Sequence, residues 1–357
     1  MKPQFIVSLA DGQIVSSLFL VREKEIRTSV RTGKTWLELS LSDRSGSIPA
    51  KMWENFEVLA KTFECEDVVR IRGRVKVYNG QKELTLEQII PAADSDYDLA
   101  DFLPHTKHDV EKLYSAMKAA IAEMKNPWLR RLLSSVVEDP EIAPRFKRAP
   151  AGMTMHHAYL GGLLEHVVSL MGLAAAVTTH YPELDADLLL AGVVLHDVGK
   201  IEELRYARGI DYSDDGRLLG HIMMGVRVVH EKCDAIPGFP AALAVLVEHM
   251  ILSHHGTHEF GSPCLPQIPE AVMLHYIDDI DSKMAGMRAT LEAASADGSD
   301  GNWTDRNPSL RRALLRASRY LGIPEKPAPQ PLASSTSAAP AKAPALFSDP
   351  VASTPKE

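Results

Sequence analysis

The run 189-LLAGVVLHDVGK-200 decides how this chain is read. An apolar stretch ends at His196 and Asp197, and Lys200 follows within one turn. Length and composition predict a buried helix over residues 185–199. On such a helix Lys200 lies i+4 from His196 and i+3 from Asp197, so all three point to one place. A buried helix has no structural use for an adjacent imidazole and carboxylate unless something compensates them. A polar pair closing a helix is the plain alternative.

Working outward, four more segments place polar groups in apolar helical context. They are "GGLLEHVVSL" with His166, "LLGHIMMG" with His221, "MILSHHG" with His254 and His255, and "LHYIDDIDSK" with His275, Asp278, Asp279 and Asp281. Each has an ordinary reading. His166 or His221 could be a satisfied core histidine, His254-His255 a helix end complementing the dipole, and Asp278 with Asp281 a solvated face. Together they are harder to dismiss, because one shared metal would compensate every buried group at once. Imidazoles and carboxylates without thiolate suit Mn, Fe, Mg or Zn at a hydrolytic site and not a structural zinc.

The order His … His-Asp … His … His-His … Asp resembles the HD-domain superfamily of metal-dependent phosphohydrolases. Position by position, the resemblance puts His166 as the leading histidine, His196-Asp197 as the doublet and Asp278 as the terminal aspartate. His221, His254 and His255 match the histidines of two-metal members. "HHAYLGGLLEH" (156–166), "GHIMMG" (220–225), "ILSHHGTHEFGSP" (251–263) and "LHYIDDIDSKM" (274–284) narrow the resemblance to the YhaM-type 3′–5′ exoribonucleases. It covers about residues 1–321. It implies a two-metal hydroxide mechanism acting on single-stranded RNA, with single-stranded DNA also possible, and releasing 5′-mononucleotides. Asp197 would bridge two divalent ions, Mn foremost with Fe, Co or Mg open. His166, His196 and Asp278 would serve one, and His221, His254 and His255 the other. Lys200 would take up phosphoryl charge. The Gly-Tyr-Pro signature of cyclic-dinucleotide HD hydrolases is missing after His255, where "GTHEFGSP" stands instead.

Upstream, residues 12–92 read as β. "TWLELSLSD" (35–43) alternates, "RSGS" turns the chain, and "DVVRIRGRVKVYNGQKELTLEQI" (67–89) is a hairpin about Asn79-Gly80. "NFEVLAKTF" (55–63) has helical spacing. Strands, one short helix and a hairpin fit a five-stranded barrel over residues 1–92. Asp-x-Ser-Gly-x-Ile-x-Ala-x-x-Trp (43–53) resembles the OB fold of nucleic-acid-binding proteins. Trp36, Phe56, Tyr78 and Trp53 are its aromatic candidates, with Trp53 expected in the core. Arg27, Arg31, Lys34, Arg72, Arg74 and Lys76 are the basic ones, and Arg74, Lys76 and Tyr78 alternate onto one face. Nearer the metal residues, His157 and the loop cations Arg145, Lys147 and Arg148 are candidate strand contacts.

The expected fold class is multidomain β plus α. An OB-type barrel (1–92) and an acidic linker (93–108) precede an all-α HD domain (109–322) and a disordered Pro/Ala/Ser-rich tail (323–357). Helices are expected over 127–137, 156–180, 185–199, 221–232, 238–253, 268–294 and 308–321. Among 357 residues, 45% are hydrophobic and 24% charged, a globular profile with no uninterrupted apolar run of membrane-spanning length. Three scattered cysteines form no CxxC pair, so a cytoplasmic protein is expected, with no membrane partner and homo-oligomerisation open. The net charge of −8 is uneven: +1 over residues 1–94, −9 over the middle. A nucleic acid would therefore need a local basic groove.

Overall fold

The computed structural model describes residues 2–29, 32–78, 81–153, 157–206, 209–296, 301–307 and 309–323. The expected turn at Asn79-Gly80, the Arg31 position and the C-terminal tail from Pro324 lie outside them, as does the Tyr78 side chain.

Five strands form a closed barrel in the order β1-β2-β3-β5-β4. They are β1 (Ile14–Thr28), β2 (Thr35–Asp43), β3 (Gly46–Met52), β4 (Val68–Tyr78) and β5 (Gln81–Pro91). All neighbours run antiparallel except β3 and β5, where Ala50 faces Leu84 and Lys51 faces Thr85 in parallel. Period-two alternation explains the closure, since Leu37, Leu39 and Leu41 all point into the barrel. The short helix α1 (Phe56–Leu59) plugs one end with Phe56. At the β2-β3 turn, Asp43 accepts from the Ser45 amide at 2.8 Å, the Ile6 amide at 2.9 Å and the buried Lys2 ammonium. Gly73 on β4 sits opposite a bulge in β5, where Glu87 is the extra residue, and a Cβ there would come within 2.5 Å of the Thr85 carbonyl oxygen.

The acidic segment 93–108 is packed, not a loose tether. Phe102 and Leu103 are fully buried in a cluster with Leu18, Leu20 and Val68 of the barrel and Leu160 of the helical part. Two backbone hydrogen bonds, Leu160 N–H to Pro104 and Thr106 N–H to Leu160, stitch it down. The acidic residues hid this because the two apolar side chains that matter are a small minority of the segment.

The helical part comprises α2 (Val110–Ala122), α3 (Pro127–Val137), α4 (Ile142–Arg148), α5 (Gly162–His180), α6 (Ala186–Leu195) and α7 (Lys200–Glu203). The two-residue strands β6 (Leu204–Arg205) and β7 (Asp211–Tyr212) pair with each other. After them come α8 (Asp214–Asp234), α9 (Ala241–Ser253) and α10 (Pro269–Ala296). Helix α5 is long and apolar enough, by length and composition, to cross a membrane, yet Leu163, Leu164, Val167 and Leu170 join the helical core. Helix α6 is apolar on every side because it is surrounded: Leu189, Val193, Val194 and Leu195 are all fully buried.

Several sequence-based boundaries move. Helix α5 starts at Gly162, not at 156, and α6 stops at Leu195, before the doublet. Arg145, Lys147 and Arg148, expected on a basic loop over 145–152, lie on the helix α4. In place of the helix expected over 308–321 stand the strand β9 (Arg312–Leu315), paired with β8 (Trp303–Asn307), and one short turn α11 (Ala317–Tyr320). Within that span Leu314 on β9 faces inward, and its amide donates to Thr304 Oγ1 of β8 at 3.0 Å.

Candidate functional site

Two apolar helices deliver histidines at their C-terminal caps in the same manner. His196 caps α6 and His254 caps α9. In each, Nδ1 bonds a backbone carbonyl three residues back, Val193 at 2.9 Å and Ile251 at 2.7 Å. A carbonyl can only accept, so Nδ1 carries the proton and Nε2 keeps its lone pair. Both rings are almost wholly buried, with centroids 5.1 Å apart.

Asp197 sits between two sets of imidazoles. Its Oδ2 lies 3.3 Å from His196 Nε2 and accepts from Lys200 Nζ at 2.6 Å. Its Oδ1 faces the other way, 3.5 Å from His221 Nε2 and 3.7 Å from His254 Nε2. One cluster therefore joins His166, His196 and Asp197, and a second joins His221, His254 and His255, with the donor atoms of each within 4.8 Å of one another. Asp278 reaches the first cluster through His166 Nε2 at 3.1 Å. Close chain approach makes this possible. At Gly199 a Cβ would lie 2.0 Å from the His221 carbonyl oxygen, and at Gly162 the same distance from that of His157.

The donor atoms have the signature of a cation site. His196 Nε2, Asp197 Oδ1, His221 Nε2 and His255 Nδ1 are buried without a hydrogen-bond partner among the described residues. A buried polar atom left so costs about 1–3 kcal/mol. Divalent cations satisfy four such atoms together, and the imidazole-carboxylate donor set fits them.

The electrostatics agree. Burial opposes the Asp197 charge, but Lys200 and His196 outweigh it and hold the carboxyl well below its usual range. Burial, helped by His196, pushes His254 well down, and burial with His221 lowers His255, so both are neutral imidazoles near neutral pH. His166 goes the other way: burial would lower it, but Asp278 and Asp281 raise it to about 9.

Supporting residues escaped sequence reading. Asp281 was legible as sharing a face with Asp278, but the contacts it makes were not. Its Oδ2 binds His166 Nδ1 at 2.8 Å and its Oδ1 accepts from Ser169 at 2.6 Å. Glu203 Oε1 takes both the His221 amide at 2.9 Å and its ring Nδ1 at 3.1 Å, which aims Nε2 at Asp197. Such outer partners fix ring orientation and basicity. Behind Asp281 runs a chain of contacts. His157 Nε2 is 3.2 Å from Asp281, His157 Nδ1 is 2.9 Å from the Tyr159 hydroxyl, and that hydroxyl donates to Glu165 at 2.9 Å. Thr106, in the segment joining barrel and helices, closes the chain at Glu165.

Several expected strand contacts are placed otherwise. His157 is buried behind His166, so it supports the site and does not line an entry. Arg145 is engaged with the Ile201 carbonyl at 2.8 Å and with Glu202, and Lys147 with Glu111 at 2.9 Å. Arg148 is exposed and lines, with Lys147, His105 and His108, an open cavity of about 890 Å³ beside the joining segment. On the barrel, Trp53 is half exposed, not core, and its ring stacks on Trp36 with centroids 5.2 Å apart. Phe56 takes the core position instead. Arg27 is paired with Glu25 and Glu38, whereas Arg74 and Lys76 stand exposed along β4.

Comparison with known proteins recognises one stretch within the barrel part and one within the helical part. The profile of the OB-fold nucleic acid binding domain matches residues 20–92, and that of the HD domain matches residues 163–283. The 3′-5′ exoribonuclease YhaM of Bacillus velezensis is 36% identical over 296 residues, 83% of this chain and 92% of that protein. The YhaM proteins of Bacillus subtilis and Bacillus licheniformis are each 35% identical, over 83% and 81% of this chain and 92% and 90% of theirs.

Proposed function

The chain belongs to the family of YhaM 3′-5′ exoribonucleases, and from that premise we propose that it shortens single-stranded RNA from the 3′ end, releasing 5′-mononucleotides. It is a hydrolase of phosphodiester bonds with a divalent metal requirement. The observation that carries the reading is Asp197, whose two oxygens face two separate imidazole clusters in which His196 Nε2, His221 Nε2 and His255 Nδ1 have no hydrogen-bond partner among the described residues.

His166, His196 and Asp278 would hold one cation, His221, His254 and His255 a second, with Asp197 shared. Divalent ions bound there supply Lewis acidity toward the phosphoryl group and bring water to a usable pKa. The chain's own residues prepare the rest. Lys200 holds Asp197 ionised and places a fixed cation where phosphoryl charge grows. The Val193 and Ile251 carbonyls keep His196 and His254 in the tautomer that offers Nε2. Glu203 and Asp281 hold His221 and His166 in orientation. No cysteine stands in the site: Cys233 is buried in the helical core and Cys264 lies by His249.

The barrel is the handhold. The Trp36-Trp53 pair offers stacking faces to bases, and Arg74 and Lys76 offer charge to the backbone. Holding a strand there keeps its end near the hydrolytic site between cuts.

The deciding experiment is 5′-labelled single-stranded RNA with Mn²⁺, set beside the same sequence as DNA. A ladder shortening from the 3′ end with 5′-mononucleotide products is expected. Turnover confined to free nucleotides or cyclic dinucleotides would show instead a small-nucleotide phosphohydrolase, and binding without cleavage a strand-binding protein.

A further inference from the structure

The hairpin at the end of the helical part concentrates positive charge on an acidic molecule. Residues 301–323 hold five arginines, Arg306, Arg311, Arg312, Arg316 and Arg319, against Asp305, while the whole chain carries −8. Every cation there is arginine, whose planar fork suits phosphate and stacks on bases. Arg306, Arg311 and Arg312 are exposed, and none forms an ion pair among the described residues. Trp303, 60% exposed, stands on the same hairpin opposite Leu315.

Two observations separate this surface from an ordinary solvated one. Arg311 has φ of 52°, a left-handed turn position where glycine or asparagine is cheaper. The fold thus keeps a long cation where local sterics argue for a small residue. The hairpin is also anchored on α10, the helix that carries Asp278. Asn307 donates to the Gly286 carbonyl at 3.1 Å and to Thr290 Oγ1 at 2.8 Å. Gly286 lies eight residues beyond Asp278 on α10, about 12 Å along the helix. The same half of α10 meets the joining segment through Lys107 and Glu292.

We propose that the β8-β9 hairpin is a second contact for the backbone of single-stranded RNA, with Arg306, Arg311 and Arg312 on phosphates and Trp303 stacking a base. This rests on the reading of the chain as an RNA-degrading enzyme and adds a grip on the helical part to the one on the barrel. Charge complementarity selects the occupant, since a polyanion with planar bases matches both the arginines and the tryptophan.

The test uses the full chain with a chelator present, so that no strand is cut. Binding of a labelled oligoadenylate is followed by fluorescence anisotropy over a salt series. Replacing Arg306, Arg311 and Arg312 together by alanine is expected to flatten the log-log salt slope by about 2 and weaken affinity by about an order of magnitude. Arg311→Gly relieves the turn, so its thermal midpoint should hold or rise while affinity falls; Arg311→Lys should keep most of the slope. Unchanged slope and affinity in the triple variant, with Trp36→Ala and Trp53→Ala still weakening binding, overturns the hairpin contact and leaves the enzyme reading standing. A wild-type chain that binds no RNA overturns both. Equal, arginine-dependent binding of polyglutamate would mark a site for acidic peptides and also overturn the proposal.

Discussion

His166 offers the most quantitative test of the metal site. Its imidazole lies between Asp278 at 3.1 Å and Asp281 at 2.8 Å, and its pKa is raised to about 9. A cation can bind only the neutral ring, so the proton must leave. Near pH 7 a group of pKa about 9 is protonated about 99% of the time, which weakens apparent metal affinity about 100-fold. The affinity should therefore rise about tenfold per pH unit between pH 6 and 8 and level off above about 9. His254 and His255, held down by burial, and Asp197 and Asp278, held ionised, add little to this slope. Calorimetry with Mn²⁺ in buffers of different ionisation enthalpy should count close to one proton released near pH 7. The same shift governs stability. The folded pKa lies above the ordinary value of 6.5, so the contribution is complete below pH 6.5 and is lost as pH rises through about 9. Its size is about 3 kcal/mol. Chelator-treated protein should lose that much stability from pH 6 to 9.5, and protein with Mn²⁺ should not. A metal affinity independent of pH, or no proton released, refutes the assignment of His166 as a ligand.

Other expectations follow from the same geometry. Asp197→Ala removes the carboxylate shared by both clusters, so RNA cleavage should fall at least about 1000-fold with strand binding kept within a few-fold; measurable exonuclease activity would exclude the shared role. Tyr159→Phe deletes the hydroxyl between His157 and Glu165 and should weaken Mn²⁺ affinity about tenfold, read by calorimetry, while leaving KM for RNA in place. Trp53→Ala strips the exposed partner of Trp36 and should cost about 1–3 kcal/mol of affinity for long single strands, measured by anisotropy. Gly199→Ala drives a methyl against the His221 carbonyl oxygen and should cost about 1–3 kcal/mol of stability, read as a lower thermal midpoint, along with metal affinity.

What could be read before any coordinates was what local pattern encodes. Alternation in residues 35–43 announced a strand, and Leu37, Leu39 and Leu41 do point inward. The spacing of His166, His196-Asp197, His221, His254-His255 and Asp278 announced a hydrolytic centre, and these residues do converge. Trp53 stands outside because it follows Met52 at the end of β3, where alternation already buries Ile48, Ala50 and Met52, and Phe56 fills the core place. The span 308–321 was misjudged because apolar spacing over so short a stretch serves a hairpin as well as a helix.

The amino-acid order by itself determined which elements form and which side-chain chemistry they carry, since both depend on neighbours a few residues apart. It determined that seven histidine and aspartate positions sit on apolar helical stems, and that a Leu-alternating barrel precedes them. Only the tertiary structure decided the division of labour. Glu203 aims His221 from 18 residues away, and Asp281 holds His166 from 115 away. The packing of Phe102 and Leu103 between barrel and helices, and the hairpin's anchorage on α10, are equally remote in sequence. Hydrogen bonds and contacts of that reach leave no periodicity in the chain; they exist only once buried helices bring their ends together.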